Sequence, residues 1–326
     1  MKSQRTWLVN GLLVVASLLV GGLCMEIGAR FFVDVPAPYP FPPGTASFDS
    51  RGFLTLRPGI SGTMDNRVDF TAKAFTIDAA GDRRVPCAPV AGAQTKRIYL
   101  IGDSQTFGWG LGDEETWASR LQCRLQEAAA DGFRVYNLGV PGDNVDQYWE
   151  RFMEQVVPVL RPGDTAVASM TWNDLVDFYI GRRGLHDILK LAGLRIDESA
   201  GDGEMSLAVD PGFDLAARYP VAGQTEMQTN AHLRGAWKER LPTWRYDLYK
   251  RTGIFIPSFA SAKAFAETMV HVSAAHAFLW PKARLLYYRF RPPATLSEKL
   301  PDNVFLFNFM TLAAMDRLAR HRGATF

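Results

Sequence analysis

The sequence predicts an α/β fold: a three-layer α/β/α arrangement around a central parallel sheet, with an N-terminal transmembrane helix and a helical insertion. Three observations predict it. Short apolar runs alternate with stretches of helical periodicity between Arg97 and Met170, the pattern of strands joined by crossover helices. An apolar run of about 19 residues stands near the N-terminus, close to the length that spans a bilayer core. From Gly181 to about Pro293 the alternation is lost, as where an insertion interrupts a sheet. The expected organisation is an anchor over 1–30, a Pro-rich spacer and antiparallel preface over 31–95, and the main domain over 96–326 with its insertion at about 181–293.

The anchor rests on charge and length. Lys2 and Arg5 precede the run from Trp7 to Met25, which only Asn10 interrupts. As a helix the run rises about 28 Å. Positive charge ahead of it predicts a cytoplasmic N-terminus and an exported, periplasmic or extracytoplasmic, remainder. A cleaved signal peptide is the rival reading, but the run is long for one and no small-x-small site clearly ends it. Leu23 is too large for lipoprotein processing at Cys24. The net charge of +2 on 326 residues gives no sign of nucleic acid as a partner. The expected contacts are the membrane, through the N-terminal helix, and a small substrate.

After the anchor, PAPYPFPPG over 36–44 reads as an extended polyproline spacer that holds the domain off the bilayer. Val68-Asp69-Phe70 and Ala74-Phe75-Thr76-Ile77 read as short antiparallel strands. Arg97–Ile101 is the first buried strand, ending at Gly102. A helix over Glu115–Ala130 follows, with Trp117, Leu121, Leu125 and Ala128 on its apolar stripe. The second strand is Arg134–Leu138. Asn144 caps a helix that runs to about Val157, with Val145, Trp149, Phe152 and Val156 on one face. Thr165–Met170 is the third strand. Within the insertion a helix is expected from Ser261 to Leu279. The aromatic and basic stretch Phe278–Phe290 reads as core packing, with contact to lipid or ligand the alternative. Asn308–His321 reads as a helix that Gly323 closes.

Three cysteines are present. Cys123 points away from the apolar stripe of its helix, among Arg120, Arg124 and Glu127. An exposed free thiol is unusual outside the cell, where disulfides persist. The predicted pairing is therefore Cys87 with Cys123, against two unpaired thiols.

The chemistry centres on Gly102-Asp103-Ser104-Gln105-Thr106-Phe107-Gly108. Ser104 stands where a buried strand gives way to a loop and a helix. In an open α/β sheet ligands bind at the carboxyl ends of the strands. A serine there suits a nucleophile whose tetrahedral intermediate needs backbone N–H donors. Gly139, in Asn137-Leu138-Gly139, follows the second strand. Asn173, in Thr171-Trp172-Asn173-Asp174, follows the third. Gly139 offers a backbone N–H with no side chain in the way, and Asn173 offers a carboxamide N–H. With the Ser104 N–H they would make a three-donor oxyanion hole.

These blocks, in this order, resemble three of the four sequence blocks of SGNH (GDSL-type) hydrolases. The resemblance covers roughly Arg97 to Asp177. The preface Thr76–Arg83, TIDAAGDR, is similar to the segment that precedes GDS in membrane-anchored members. The resemblance implies a flavodoxin-like α/β/α fold, Ser104 as nucleophile, and Gly139 and Asn173 in the oxyanion hole. It implies chemistry that needs neither metal nor cofactor. It implies carboxylic esters as substrates, including acetyl groups on glycans, while some relatives transfer the acyl group to a polysaccharide instead.

The fourth block, an Asp-x-x-His near the C-terminus that supplies the base, is missing. None of His186, His232, His271, His276 and His321 has an aspartate three residues before it. Ala324-Thr325-Phe326 reads as the opening of a further buried strand, so the expectation is a chain truncated before the base. Without a base Ser104 is a poor nucleophile at neutral pH, and oxyanion donors alone leave only a residual rate. The remaining alternatives are a degenerate, non-catalytic member that binds glycan or acts as a scaffold, and a base drawn from an unexpected histidine.

Overall fold

The computed structural model describes residues 2–32, 40–48, 54–66, 68–87, 95–129, 132–171, 174, 181–197, 206–219, 273–279, 282–283 and 304–326, with isolated positions at 248, 252, 256 and 269. It is a mixed α/β chain with a central parallel sheet of three strands.

Helix α1 runs Lys2–Phe32. Its segment Val9–Phe32 has a mean hydropathy of 2.1 and is long and apolar enough to cross a membrane. Leu12, Leu18 and Leu19 are among its exposed apolar side chains. Near its end the Glu26 carboxylate accepts from the Ser273 hydroxyl at 2.7 Å and from the Ala274 N–H at 3.1 Å. Arg30 pairs with the same group at 2.7 Å.

Two antiparallel pairs follow. Strand β1 (Ala46–Phe48) pairs with β2 (Leu54–Leu56), and β3 (Ser61–Met64) with β4 (Lys73–Thr76). Two expectations are corrected here. The described end of the Pro-rich run is not a free spacer, because Phe41 is buried. Its ring meets Phe75 at 5.2 Å and Phe107 at 5.6 Å, both edge-on, and removing an aromatic ring from water outweighs an extended, solvated backbone. Val68-Asp69-Phe70 is not a strand. The Asn66 side chain accepts from the N–H groups of all three, at 3.1, 2.8 and 3.1 Å, and so offers this stretch a turn in place of a ladder.

The sheet has the order β6-β5-β7, with β5 at Lys96–Gly102, β6 at Phe133–Asn137 and β7 at Thr165–Ser169. Arg97 and Asp164 fix the starts of β5 and β7 together: the Arg97 N–H donates to Oδ1 at 2.9 Å and its Nε to Oδ2 at 2.9 Å. Alternate residues of β5 enter different clusters, as a period of two requires. Tyr99 and Ile101 pack with helix α4 (Val145–Arg151), helix α5 (Gly181–Leu191) and the C-terminal helix. Leu100 packs with Ala118 and Val135.

Helix α2 is the single turn Ser104–Phe107, and α3 is Trp117–Ala129. On α3 the expected stripe is shifted. Trp117 is exposed, while Ala118, Ser119 and Gln122 are buried. Edge strand β6 explains the shift: Gln122 accepts from the Val135 N–H at 2.7 Å and donates to the Phe133 carbonyl at 3.2 Å, satisfying backbone groups that no strand pairs. Cys123 on the same helix is disulfide-bonded to Cys87, with Cα atoms 5.3 Å apart. In α4, Asn144 and Gln147 form a capping box, and Val145, Trp149, Phe152 and Val156 are all buried.

The region from 181 reads from the sequence as an insertion, and its first described elements pack into the main core. Leu185, Ile188, Leu189 and Ala192 of α5 lie in the main cluster. So do residues of the hairpin β8 (Leu194–Asp197) and β9 (Ser206–Val209), which the short helix α6 (Leu215–Arg218) follows. The C-terminal helix α7, Val304–His321, places Met310, Ala314, Met315 and Leu318 against them. The expected Ser261–Leu279 helix falls mostly outside the described residues. Beyond α7, Thr325 makes a parallel bridge to Thr165, with the Ala166 N–H on the Thr325 carbonyl at 2.8 Å.

Candidate active site

Strand β5 delivers Asp103 and Ser104 to the carboxyl end of the sheet. Asp103 is the N-cap of α2, its Oδ1 accepting from the Gln105 N–H at 2.8 Å. That bond settles one of the donors that a helix start leaves open. Ser104 holds the first helical position, so its own N–H lies ahead of any i→i−4 bond. Its carbonyl accepts from Gly108 at 3.0 Å and Trp109 at 2.9 Å, and Gly108 closes the turn at φ +86°, a conformation a side chain disfavours. The Ser104 hydroxyl is half-buried and donates to Asp103 Oδ2 at 3.3 Å.

Strand β6 brings Gly139 against this turn. A Cβ at Gly139 would stand 2.3 Å from the Phe107 nitrogen and 2.7 Å from the Thr106 carbonyl carbon. Only glycine allows the approach. Its N–H, expected to face a ligand, donates instead to Asn137 Oδ1 at 3.1 Å. Asn137 is buried and spends its other end on the Thr106 carbonyl at 2.8 Å, so one carboxamide ties β6 to α2.

Strand β7 leads to the third block. Asn173 lies outside the described residues, but Thr171 and Asp174 on either side of it are placed. The Asp174 N–H donates to the Thr171 carbonyl at 3.1 Å, and the Thr171 N–H to Asp174 Oδ2 at 2.7 Å. The Tyr148 hydroxyl reaches the same carboxylate oxygen at 2.7 Å. The Thr171 hydroxyl has two carboxylate oxygens in reach, Asp103 Oδ2 at 2.9 Å and Asp174 Oδ2 at 3.2 Å, and the shorter contact takes its one proton across to Asp103. Thr171, itself bonded to Asp174, is therefore bonded to the residue beside Ser104.

The floor of the site is acidic. Asp103, Asp143 and Asp174 are all buried. Burial pushes the Asp143 carboxyl up, Arg151 opposes that, and Asp103 and Asp174 add to it. Burial also raises Asp174, against the bonds from Thr171 and Tyr148. Tyr148 is driven upward by burial and then by Asp174. Arg151 balances this charge through its ion pair with Asp143 and also donates to the Leu54 carbonyl at 2.8 Å.

No described histidine makes the Ser104 hydrogen bond. His186 is exposed on α5. His321 bonds the Tyr219 carbonyl at 2.9 Å, and His276 follows the Glu26 contact in a separate helix. His232 and His271 lie outside the described residues. Among the described residues no group of three or more His, Cys, Asp or Glu is arranged to hold a metal ion. Sequence reasoning named Ser104 and Gly139 but missed Asn137, Thr171 and Asp174. An aspartate before the serine and a Thr-x-x-Asp turn were the available signals, since both residue pairs favour local side-chain bonds to backbone.

Neither a family model nor a curated protein matches the chain. Among solved structures it is similar to a point mutant of the esterase AlinE4, at 26% identity over 26% of this chain and 44% of that one, with a TM-score of 0.22. It is also similar to AlinE4 itself, described as an SGNH-hydrolase family esterase, at 18% identity over 63% of this chain and all (100%) of that one, with a TM-score of 0.24. The chain thus spans under half of the first of these. Superpositions this loose do not transfer a reaction.

Proposed function

We propose that this chain is a membrane-anchored serine esterase of the SGNH type, a three-layer α/β/α domain held outside the cytoplasm and acting on carboxylic, including O-acetyl, esters. The observation that carries the reading is the position of Ser104: a half-buried hydroxyl at the carboxyl end of the central strand, on the first residue of a capped helical turn. Its oxygen attacks the ester carbonyl, the carbonyl oxygen takes the negative charge, and as the carbonyl re-forms the alcohol leaves with the proton that the serine hydroxyl gave up. Water then hydrolyses the acyl-serine.

In this reading the Ser104 N–H and the Asn173 carboxamide receive the oxyanion. Gly139 supplies close approach first. Its N–H joins as a third donor because an oxyanion is a stronger acceptor than the neutral Asn137 oxygen that holds it at 3.1 Å. The hydroxyl rests on Asp103, and no described histidine stands beside it to take its proton, so the expected turnover is slow.

The test is hydrolysis of a short-chain aryl ester by the full-length chain. Ser104→Ala is expected to abolish turnover. Turnover unchanged by that substitution refutes the assignment.

A further inference from the structure

We propose that Thr171 is a positioning residue for Ser104, an inference that rests on the esterase reading above. Asp103 Oδ2 accepts from two hydroxyls, Thr171 at 2.9 Å and Ser104 at 3.3 Å. The shorter bond is the stronger. Thr171 therefore fixes where the carboxylate oxygen sits and takes up part of its charge, which leaves the Ser104 hydroxyl on a long, weak bond that it can leave.

The backbone of Thr171 is fixed independently. Its N–H donates to Asp174 Oδ2 at 2.7 Å, and Tyr148 of α4 holds that oxygen from the other side at 2.7 Å. β5 and β7 are neighbours, with Gly102 opposite Ser169 in the register. One hydroxyl thus bridges the residues that follow two adjacent strand ends, one of them beside the nucleophile. Removing it has two consequences. Ser104 becomes the only one of these two hydroxyls left on Asp103 Oδ2 and is held more firmly. The Thr171–Asp174 turn loses its link to the nucleophile. Both slow attack, and neither changes how a small ligand first enters the site.

The experiment reads the reaction of Ser104 with a fluorophosphonate in the full-length, detergent-solubilised chain, separating the maximal rate of labelling from the concentration at half-maximal rate. Thr171→Val keeps the side-chain shape and removes the hydroxyl. Its maximal rate is expected to fall about tenfold, the worth of one hydrogen bond, with the half-maximal concentration within about twofold of wild type. Thr171→Ser is expected to restore the rate. A Val variant that labels at the wild-type rate overturns the proposal, and so does a Ser variant as slow as Val. If the Val variant loses its cooperative melting, Thr171→Ala is judged by the same criterion. A wild-type chain that does not label, or a Ser104→Ala chain that still does, overturns the esterase reading itself and takes this inference with it.

Discussion

The guanidinium of Arg83 lies 4.6 Å from the centre of the Phe107 ring, which couples the antiparallel preface to the turn that begins at Ser104. Arg83 is fully buried, with Nε 2.9 Å from Asp113 Oδ1 and a nitrogen on the Leu111 carbonyl at 2.8 Å. Asp113 in turn accepts the Thr76 N–H at 3.0 Å. Burial pulls the Arg83 pKa down to about 10 against the pull of Asp113. Arg83→Met keeps much of the bulk but strands Asp113 without its cation. Breaking a buried pair in this way costs about 3 kcal/mol or more, to be read as a lower denaturant midpoint. Arg83→Lys keeps the charge and loses the flat, forked contact, so its midpoint is expected between the two. A Met variant as stable as wild type would remove the coupling from the account.

Gly139→Ala tests the close approach of β6 to α2. The new methyl would meet backbone atoms at 2.3 and 2.7 Å, neither belonging to a flexible side chain that can swing away. The strand end or the nucleophile turn must move. The expected cost is about 1–3 kcal/mol, as for overpacking elsewhere, together with a loss of Ser104 labelling larger than the fall in stability explains. Labelling at the wild-type rate in a folded Gly139→Ala chain would show that the turn tolerates displacement.

Much of this was legible in the sequence because the strong signals were local. Arg97–Ile101, Arg134–Leu138 and Thr165–Met170 lie within about two residues of the observed strands, because their shortness and flanking turn residues decide a strand-or-helix choice that an apolar run alone leaves open. Ser104 and Gly139 were legible for the same reason. The parts that were not legible depend on contacts remote in sequence. Phe41 looked like part of a solvated spacer until Phe75 and Phe107 supplied a place to bury it. The burial of Gln122, a polar residue off the expected apolar stripe, follows from its bonds to β6 and has no local signal. Thr171 and Asp103 are separated by 68 positions, and only the register of β5 with β7 brings them together.

Asp82 predicts a pH dependence of stability. Burial, reinforced by Asp78 and opposed by Arg151, pushes its carboxyl from the ordinary value up to about 7. In the unfolded chain it titrates near 4, as aspartates do (about 3.9). Between those values the unfolded chain has released the proton and the folded chain still holds it, so stability falls as pH rises from about 4 to about 7 and is level above that. Asp82→Asn cannot ionise. The melting temperature of the variant minus that of wild type is expected to grow across this window and then stay constant. A difference independent of pH would mean that Asp82 is ionised in the fold.

The disulfide between Cys87 and Cys123 closes a loop with a sequence separation of 36 that encloses β5 and α2. The preface and α3 are therefore joined around the strand that delivers Ser104. Restricting a loop of this size in the unfolded chain stabilises the fold by about 2–4 kcal/mol. The comparison is made with Cys24, the exposed free cysteine, replaced by serine throughout. Cys87→Ser with Cys123→Ser is expected to lower the unfolding free energy by that amount, read as a lower denaturant midpoint. Reductant is expected to bring the disulfide-bonded chain down to the same midpoint and to leave the double variant unmoved. Because the link ties α3 to the preface and touches neither Asp103 nor Asn137, the folded double variant should still label at Ser104. A reductant that leaves the parent midpoint where it was would show that these two cysteines are not joined in the protein.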